Sequence, residues 1–199
     1  MKIRRAAPRW HRSRLPAALG MALAALLSAS ARKPQMYQND EFGISVPVPK
    51  GTLLCPVRED QHDHGPLFLL GAADIRRCDD SGSSRPIVVF SGYNAADATK
   101  ILYDFLKSEC DGPCLPPPPN LGIRGLRTAS ARVNHSDGWV DIIVVTQAGK
   151  PDALYDPAVP SINYDLRLHT KPENLNEDLR VFRTVLQTIR LGAKSNSAL

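Results

Sequence analysis

The sequence has no glycine-rich phosphate loop, no serine elbow of the form G-x-S-x-G and no internal repeat. These gaps remove the readings that such signals would carry: phosphate cradles, α/β-hydrolases and stacked-repeat folds. A membrane helix needs about 20 apolar residues, and the run Ala17 to Leu27 stops short of that. The first 31 residues contain no acid.

That last absence is informative. Lys2, Arg4, Arg5, Arg9, Arg12 and Arg14 precede the apolar run, and Ala29-Ser30-Ala31 follows it in the A-x-A form. Residues 1–31 therefore read as a cleaved secretory signal peptide. Arg4-Arg5 is not followed directly by strongly apolar residues, so a twin-arginine signal is not indicated. No cysteine follows the run until Cys55, which argues against a lipidated mature terminus. The chain of 199 residues has a formal charge of +5, with 25 basic and 20 acidic residues. Removing a leader with 6 of the bases leaves 19 against 20, a net charge of −1. The basicity belongs to the leader, and no nucleic-acid or stable membrane partner is expected. The expected location is the periplasm or the exterior.

The remaining 168 residues suffice for one domain with a sizeable core. Its clearest stretch lies near the end. Ile162, Tyr164, Leu166 and Leu168 alternate with Asn163, Asp165, Arg167 and His169, the pattern of a half-buried strand. Leu175, Leu179, Phe182, Leu186 and Ile189 then mark an amphipathic helix. Thr170 with Glu173, or Asn174 with Glu177, supplies a capping-box spacing, and Gly192 a left-handed helix end. Phe42, Ile44, Val46 and Val48 alternate, and Pro47 and Pro49 on the other phase predict an edge strand. Leu53 to Cys55, Leu67 to Leu70 and Ile87 to Phe90 read as short strands, separated by polar loops at 58–66 and 71–86. A second helix, capped by Asn94 or Asp97, carries Ala98, Ile101, Leu102, Phe105 and Leu106 and ends near Cys110. Pro116 to Pro119 predict an extended surface crossing. Leu126 to Val133, a loop at 134–138 and Trp139 to Thr146 form a hairpin. Its second strand is apolar on both phases except at Asp141, so it should be covered on both faces.

Strands, helix, hairpin, strand and helix do not alternate regularly. The expected class is α+β: one domain over 32–192, a largely antiparallel sheet with two main amphipathic helices, and a disordered tail at 193–199. The order of elements resembles the PsbP-like and DcrB-like group of small α+β proteins. The resemblance rests on the strand Phe42-Gly43-Ile44-Ser45-Val46-Pro47-Val48-Pro49, the late meander and the closing strand–helix. It implies binding and assembly roles more than catalysis.

Four cysteines allow three pairings. Cys110 and Cys114 flank a Gly-Pro turn that would bring them together, leaving Cys55 with Cys78. Two structural disulfides suit a secreted protein. The sharpest polar cluster is Asp60, His62 and His64, which share one phase of an extended backbone. Two imidazoles and a carboxylate suit zinc or copper, and reduced Cys55 and Cys78 would complete such a site. A solvated loop with locally bonded histidines is the plainer alternative. Ser91 stands where a strand meets a helix, but without the elbow glycines it reads as a turn residue. His135 is expected in a turn and His169 at a solvent-facing strand end. Asp141, in an apolar strand, needs a partner, and Arg132 or Arg167 on neighbouring strands would make a buried ion pair. Asn134-His135-Ser136 is a glycosylation sequon.

These residues predict a secreted or periplasmic binding protein without enzymatic activity. It would act through a protein surface as inhibitors, immunity proteins or assembly factors do, with another protein as partner and no cofactor. Metal binding through His62 and His64 is the alternative, and a hydrolase the next.

Overall fold

In the computed structural model, residues 34–59, 62–71, 78, 85–92, 102–149 and 161–192 are described. The expected leader at 1–31, the tail at 193–199, Asp60 and the helix start at 94–101 lie outside them. Chain order gives β1 (Met36–Asn39), β2 (Ile44–Pro47), β3 (Leu53–Glu59), β4 (His62–Leu70), β5 (Arg85–Gly92) and α1 (Leu102–Glu109). Then follow β6 (Thr128–Asn134), β7 (Val140–Gly149), β8 (Ser161–Thr170), α2 (Leu175–Thr188) and β9 (Arg190–Leu191). Six strands form one sheet in the order β3-β4-β5-β8-β7-β6, and β1-β2-β9 form a second. Every pairing is antiparallel. Among the described residues the fold is one α+β domain with two helices and antiparallel sheets, the class that the sequence predicts.

Alternation decides which helix covers which face. Ile162, Tyr164, Leu166 and Leu168 of β8 and Ile142 and Val144 of β7 join Leu179, Phe182, Val185 and Leu186 of α2 in the larger core. Ile143 and Val145, on the other phase of β7, pack with Ala131 and Val133 of β6 under Phe105 and Leu106 of α1. The doubly apolar β7 is thus covered from both sides. The small sheet closes the larger core with Tyr37, Phe42, Ile44 and Val46, and the Tyr164 hydroxyl donates to the Phe42 carbonyl at 2.6 Å.

Several expectations change. The loop expected at 58–66 is mostly strand: β3 and β4 pair as a hairpin from Leu53↔Leu69 to Glu59↔His62, with an irregularity at Val57/Arg58. Pro56 and Gly65 interrupt the alternation, so no clean period is visible there. A Cβ on Gly65 would stand 2.0 Å from the Val89 carbonyl oxygen, so only glycine fits. β2 is flanked on both sides rather than at an edge: Ile44 and Ser45 face Leu191 and Arg190 of β9. Pro47 lies beyond β9 and pairs only with Met36, so its missing N–H breaks no ladder.

Helix α2 ends before Gly192. Ile189 is extended (φ −64°, ψ 142°), and β9 uses the next two residues. Asn174 is its N-cap residue but makes no side-chain cap bond. Thr170, expected as a cap, is buried at the end of β8 and donates its hydroxyl to Asp178 in the first turn of α2. Arg85 of β5 also reaches Asp178, Nε to Oδ2 at 2.8 Å.

The proline crossing is present. Leu115 pairs with Arg132 on the outer edge of β6, with backbone bonds of 2.8 and 3.0 Å. Farther along, the Pro119 carbonyl accepts from Arg183 of α2 at 3.1 Å. The segment carries the chain from the α1 side round the edge of β6 to the α2 side, where Ile123 is buried.

Candidate functional site

The polar phase of β8 faces the α1 side of the sheet. Register sets Asp165 opposite Val145, Arg167 opposite Ile143 and His169 opposite Asp141. Helix α1 covers the apolar part of that face, and the polar row runs beside it. Arg167 donates to Asp165 at 2.9 Å and to the Glu109 carboxylate at the end of α1 at 3.3 Å. Burial, reinforced by Glu109 and opposed by Arg167, pushes the Asp165 carboxyl up to about 6. Burial disfavours the Arg167 charge, but Asp165 and Asp141 outweigh it and the guanidinium pKa rises.

Asp141 anchors the end of the row. It is only 4% exposed. Its Oδ1 accepts from His169 Nδ1 at 2.6 Å. Its Oδ2 lies 3.1 Å from His135 Nε2 and 3.6 Å from Arg167 Nη1. His135 comes from the β6–β7 turn. Its N–H donates to the Trp139 carbonyl at 2.8 Å, and Gly138 N donates to the His135 carbonyl at 3.1 Å. The left-handed Gly138 (φ 87°) closes that turn and brings the imidazole back over Asp141. His135 Nε2 is buried yet makes no aligned hydrogen bond. Trp139 stacks on His169, ring centroids 4.4 Å apart and 7° from parallel, with Lys171 Nζ 5.3 Å from the indole centroid. One ligand atom from each of His135, Asp141 and His169 lies within 4.8 Å of the others.

Asp141 therefore meets Arg167 at ion-pair distance, but not Arg132. Arg132 stands opposite Ile142, which places it on the other face, and its Nε donates to Asn134 at 2.8 Å. The sequence places His135 in its turn and His169 at its strand end; it does not show that both converge on Asp141. Residues 150–160, with Pro151, Pro157 and Pro160, read as a long loop rather than a tight two-residue hairpin turn, so the sequence does not fix the register of β8 against β7. The hairpin centre at Asp137-Gly138 does place His135 beside Asp141 and was a usable signal.

The other candidates lie elsewhere. Cys55 bonds Cys78 and Cys110 bonds Cys114. Asp60 is outside the described residues, and only the backbone of His62 is described. His64 Nδ1 donates to the Ser91 carbonyl at 2.7 Å, and its ring stacks on Phe90 with centroids 5.1 Å apart. Ser91 is fully buried, and its hydroxyl donates to the His64 carbonyl at 2.6 Å. These two residues clasp β4 to β5 through each other's backbone. The Ser91 hydroxyl is committed to a backbone carbonyl in the core.

Chemically, the cluster offers a buried carboxylate, two imidazoles and an aromatic platform at the edge of a charged strip. It can hold a cation or receive a polar group of a partner.

No family model and no curated protein sequence matches the chain. Among solved structures, LpqN of Mycobacterium tuberculosis, described as involved in cell envelope biogenesis, is 11% identical, with a TM-score of 0.48 over 86% of this chain and 97% of that one. Cyanobacterial PsbP (CyanoP) of Synechocystis sp. PCC 6803 is 14% identical, with a TM-score of 0.38 over 82% of this chain and 95% of that one. The chain is similar to both in outline only.

Proposed function

We propose that the chain is an extracytoplasmic binding protein without catalytic activity, which presents the α1 side of its six-stranded sheet to another protein. One observation carries this reading. Helix α1 covers Ile143 and Val145, while the row beside it ends in a surface of His169, Trp139 and Lys171. His169 keeps 35% of its side chain exposed although it is held by both Asp141 and Trp139. Rigid, partly exposed aromatic groups such as Trp139 are what binding surfaces use as anchors. Two disulfides support the compartment, as does the leader-like N-terminus. No helix among the described residues is long and apolar enough to cross a membrane. The protein would block or escort its partner, as inhibitor, immunity and assembly proteins do.

The test compares parent and Trp139→Ala/Lys171→Ala chains, exported in the native host and cross-linked there. One stoichiometric protein partner recovered with the parent, and reduced more than about tenfold with the variant, supports the proposal. Equal recovery sinks the assigned face, and turnover of an ester or peptide that depends on His169 sinks the non-enzymatic reading.

A further inference from the structure

We infer that His135, Asp141 and His169 form a binding site for one divalent transition-metal ion of the kind that favours imidazole, zinc or copper(II). This site is distinct from the His62/His64 stretch, and its existence does not depend on the protein partner.

The argument begins with geometry. In a tetrahedral zinc site, bonds of about 2.0–2.1 Å put ligand atoms roughly 3.3 Å apart. Here Asp141 Oδ2 lies 3.1 Å from His135 Nε2, and Asp141 Oδ1 lies 2.6 Å from His169 Nδ1. All three ligand atoms fall within 4.8 Å of one another. An entering cation displaces the proton between His169 and Asp141 and opens that contact by about 0.7 Å to reach the tetrahedral spacing. His135 Nε2 is buried and stands 3.1 Å from Asp141 Oδ2 without an aligned hydrogen bond, and the ion gives its lone pair a ligand to bind. A buried polar atom left in that state is uncommon and calls for a reason.

The supports are those a metal site uses. Trp139 fixes the His169 ring by stacking. Arg167 Nη1 stands 3.6 Å from Asp141 Oδ2, an ion-pair contact, and its own charge is offset by Asp165 and Glu109. Outer partners of this type orient the ligands. Three protein ligands leave a fourth position for water. Two nitrogen ligands favour zinc or copper over calcium or magnesium, which prefer oxygen.

The test is calorimetric titration of the chelator-treated, disulfide-intact chain with zinc chloride, and separately with copper(II), calcium and magnesium salts. The expected result is one zinc or copper per chain and no heat from calcium or magnesium. His135→Gln and His169→Gln should each weaken binding more than about tenfold, while His62→Ala/His64→Ala leaves it unchanged. X-ray absorption of the parent's zinc complex should show two imidazoles, a readout that needs no variant to fold. No binding, an all-oxygen shell, or loss confined to the His62/His64 variant overturns the inference. None of these outcomes touches the partner proposal, which is read from cross-linking and from Trp139 and Lys171.

Discussion

Asp178 offers the sharpest test of how the helix is fastened to the sheet. It sits in the first turn of α2 and is 2% exposed. It accepts from the buried Thr170 hydroxyl and from Arg85 Nε at 2.8 Å. In Asp178→Ala the Thr170 hydroxyl keeps only a 3.4 Å approach to the Lys171 carbonyl, which leaves a cost of about 1–2 kcal/mol for an under-satisfied buried donor. The charge-assisted bond to Arg85 is worth about 1.5 kcal/mol, the low end of its range, because the Arg85 side chain is 23% exposed and can turn to water. An acid near a helix N-terminus adds about 0.3–1 kcal/mol. The expected loss is therefore about 3–4.5 kcal/mol, measured by urea unfolding of the disulfide-intact domain. Arg85→Ala should cost at least as much, because it strands a buried carboxylate. The double variant Arg85→Ala/Asp178→Ala should be less unstable than the sum by more than about 1 kcal/mol. Additivity within about 0.5 kcal/mol, or a loss below about 1 kcal/mol in Asp178→Ala, would refute the reasoning.

Three further outcomes follow from the same contacts. Gly65→Ala should cost about 3 kcal/mol or more, or prevent folding, because its Cβ meets the Val89 carbonyl oxygen at 2.0 Å; a urea midpoint close to the parent's would contradict this. Asp165, raised from 3.8 to about 6 by burial, holds its proton more tightly in the folded chain. Its contribution is favourable below the lower value and is lost as pH rises through the upper one. Asp165→Asn should remove that decline, seen as a flatter stability profile than the parent's between pH 4 and about 6; parallel profiles would count against it. The Cys55–Cys78 bridge spans 23 positions and Cys110–Cys114 spans 4, so loop entropy predicts losses of about 3.4 and about 2 kcal/mol for the paired alanine variants. Calorimetric melting should rank them in that order.

Much of the frame is legible because single residues repeat a period. The alternation from Ile162 to His169 gives β8 its two faces. The Leu175–Ile189 stripe gives α2, and the doubly apolar β7 announces a sandwiched strand. The Gly-Pro turn between Cys110 and Cys114 leaves Cys55 for Cys78, and both bridges form. What escapes depends on contacts distant in sequence. β9 is two residues long and exists only because Ile44 and Ser45 offer it an edge. Asp178 lies beside the apolar stripe and looks like one more solvated acid; only the position of Arg85 shows otherwise. The candidate site was legible as parts: Asp141 needed a partner, and Arg167 is near it. The convergence of His135 and His169 required the register of β8 on β7, which a long proline-bearing loop at 150–160 does not set as a tight hairpin turn would.

The proline segment has a consequence for how this molecule meets copies of itself. A sheet edge with unpaired amides invites a strand from another chain. At β6 that edge is occupied by Leu115, which pairs with Arg132, and the residues directly after it are Pro116, Pro117, Pro118 and Pro119. None of the four has an N–H to donate, so the pairing cannot lengthen or template further strands. The Cys110–Cys114 bridge on one side and Arg183 on the other hold the segment in place. The segment that routes the chain round the sheet thereby also blocks strand addition at Arg132, the position of that edge it occupies.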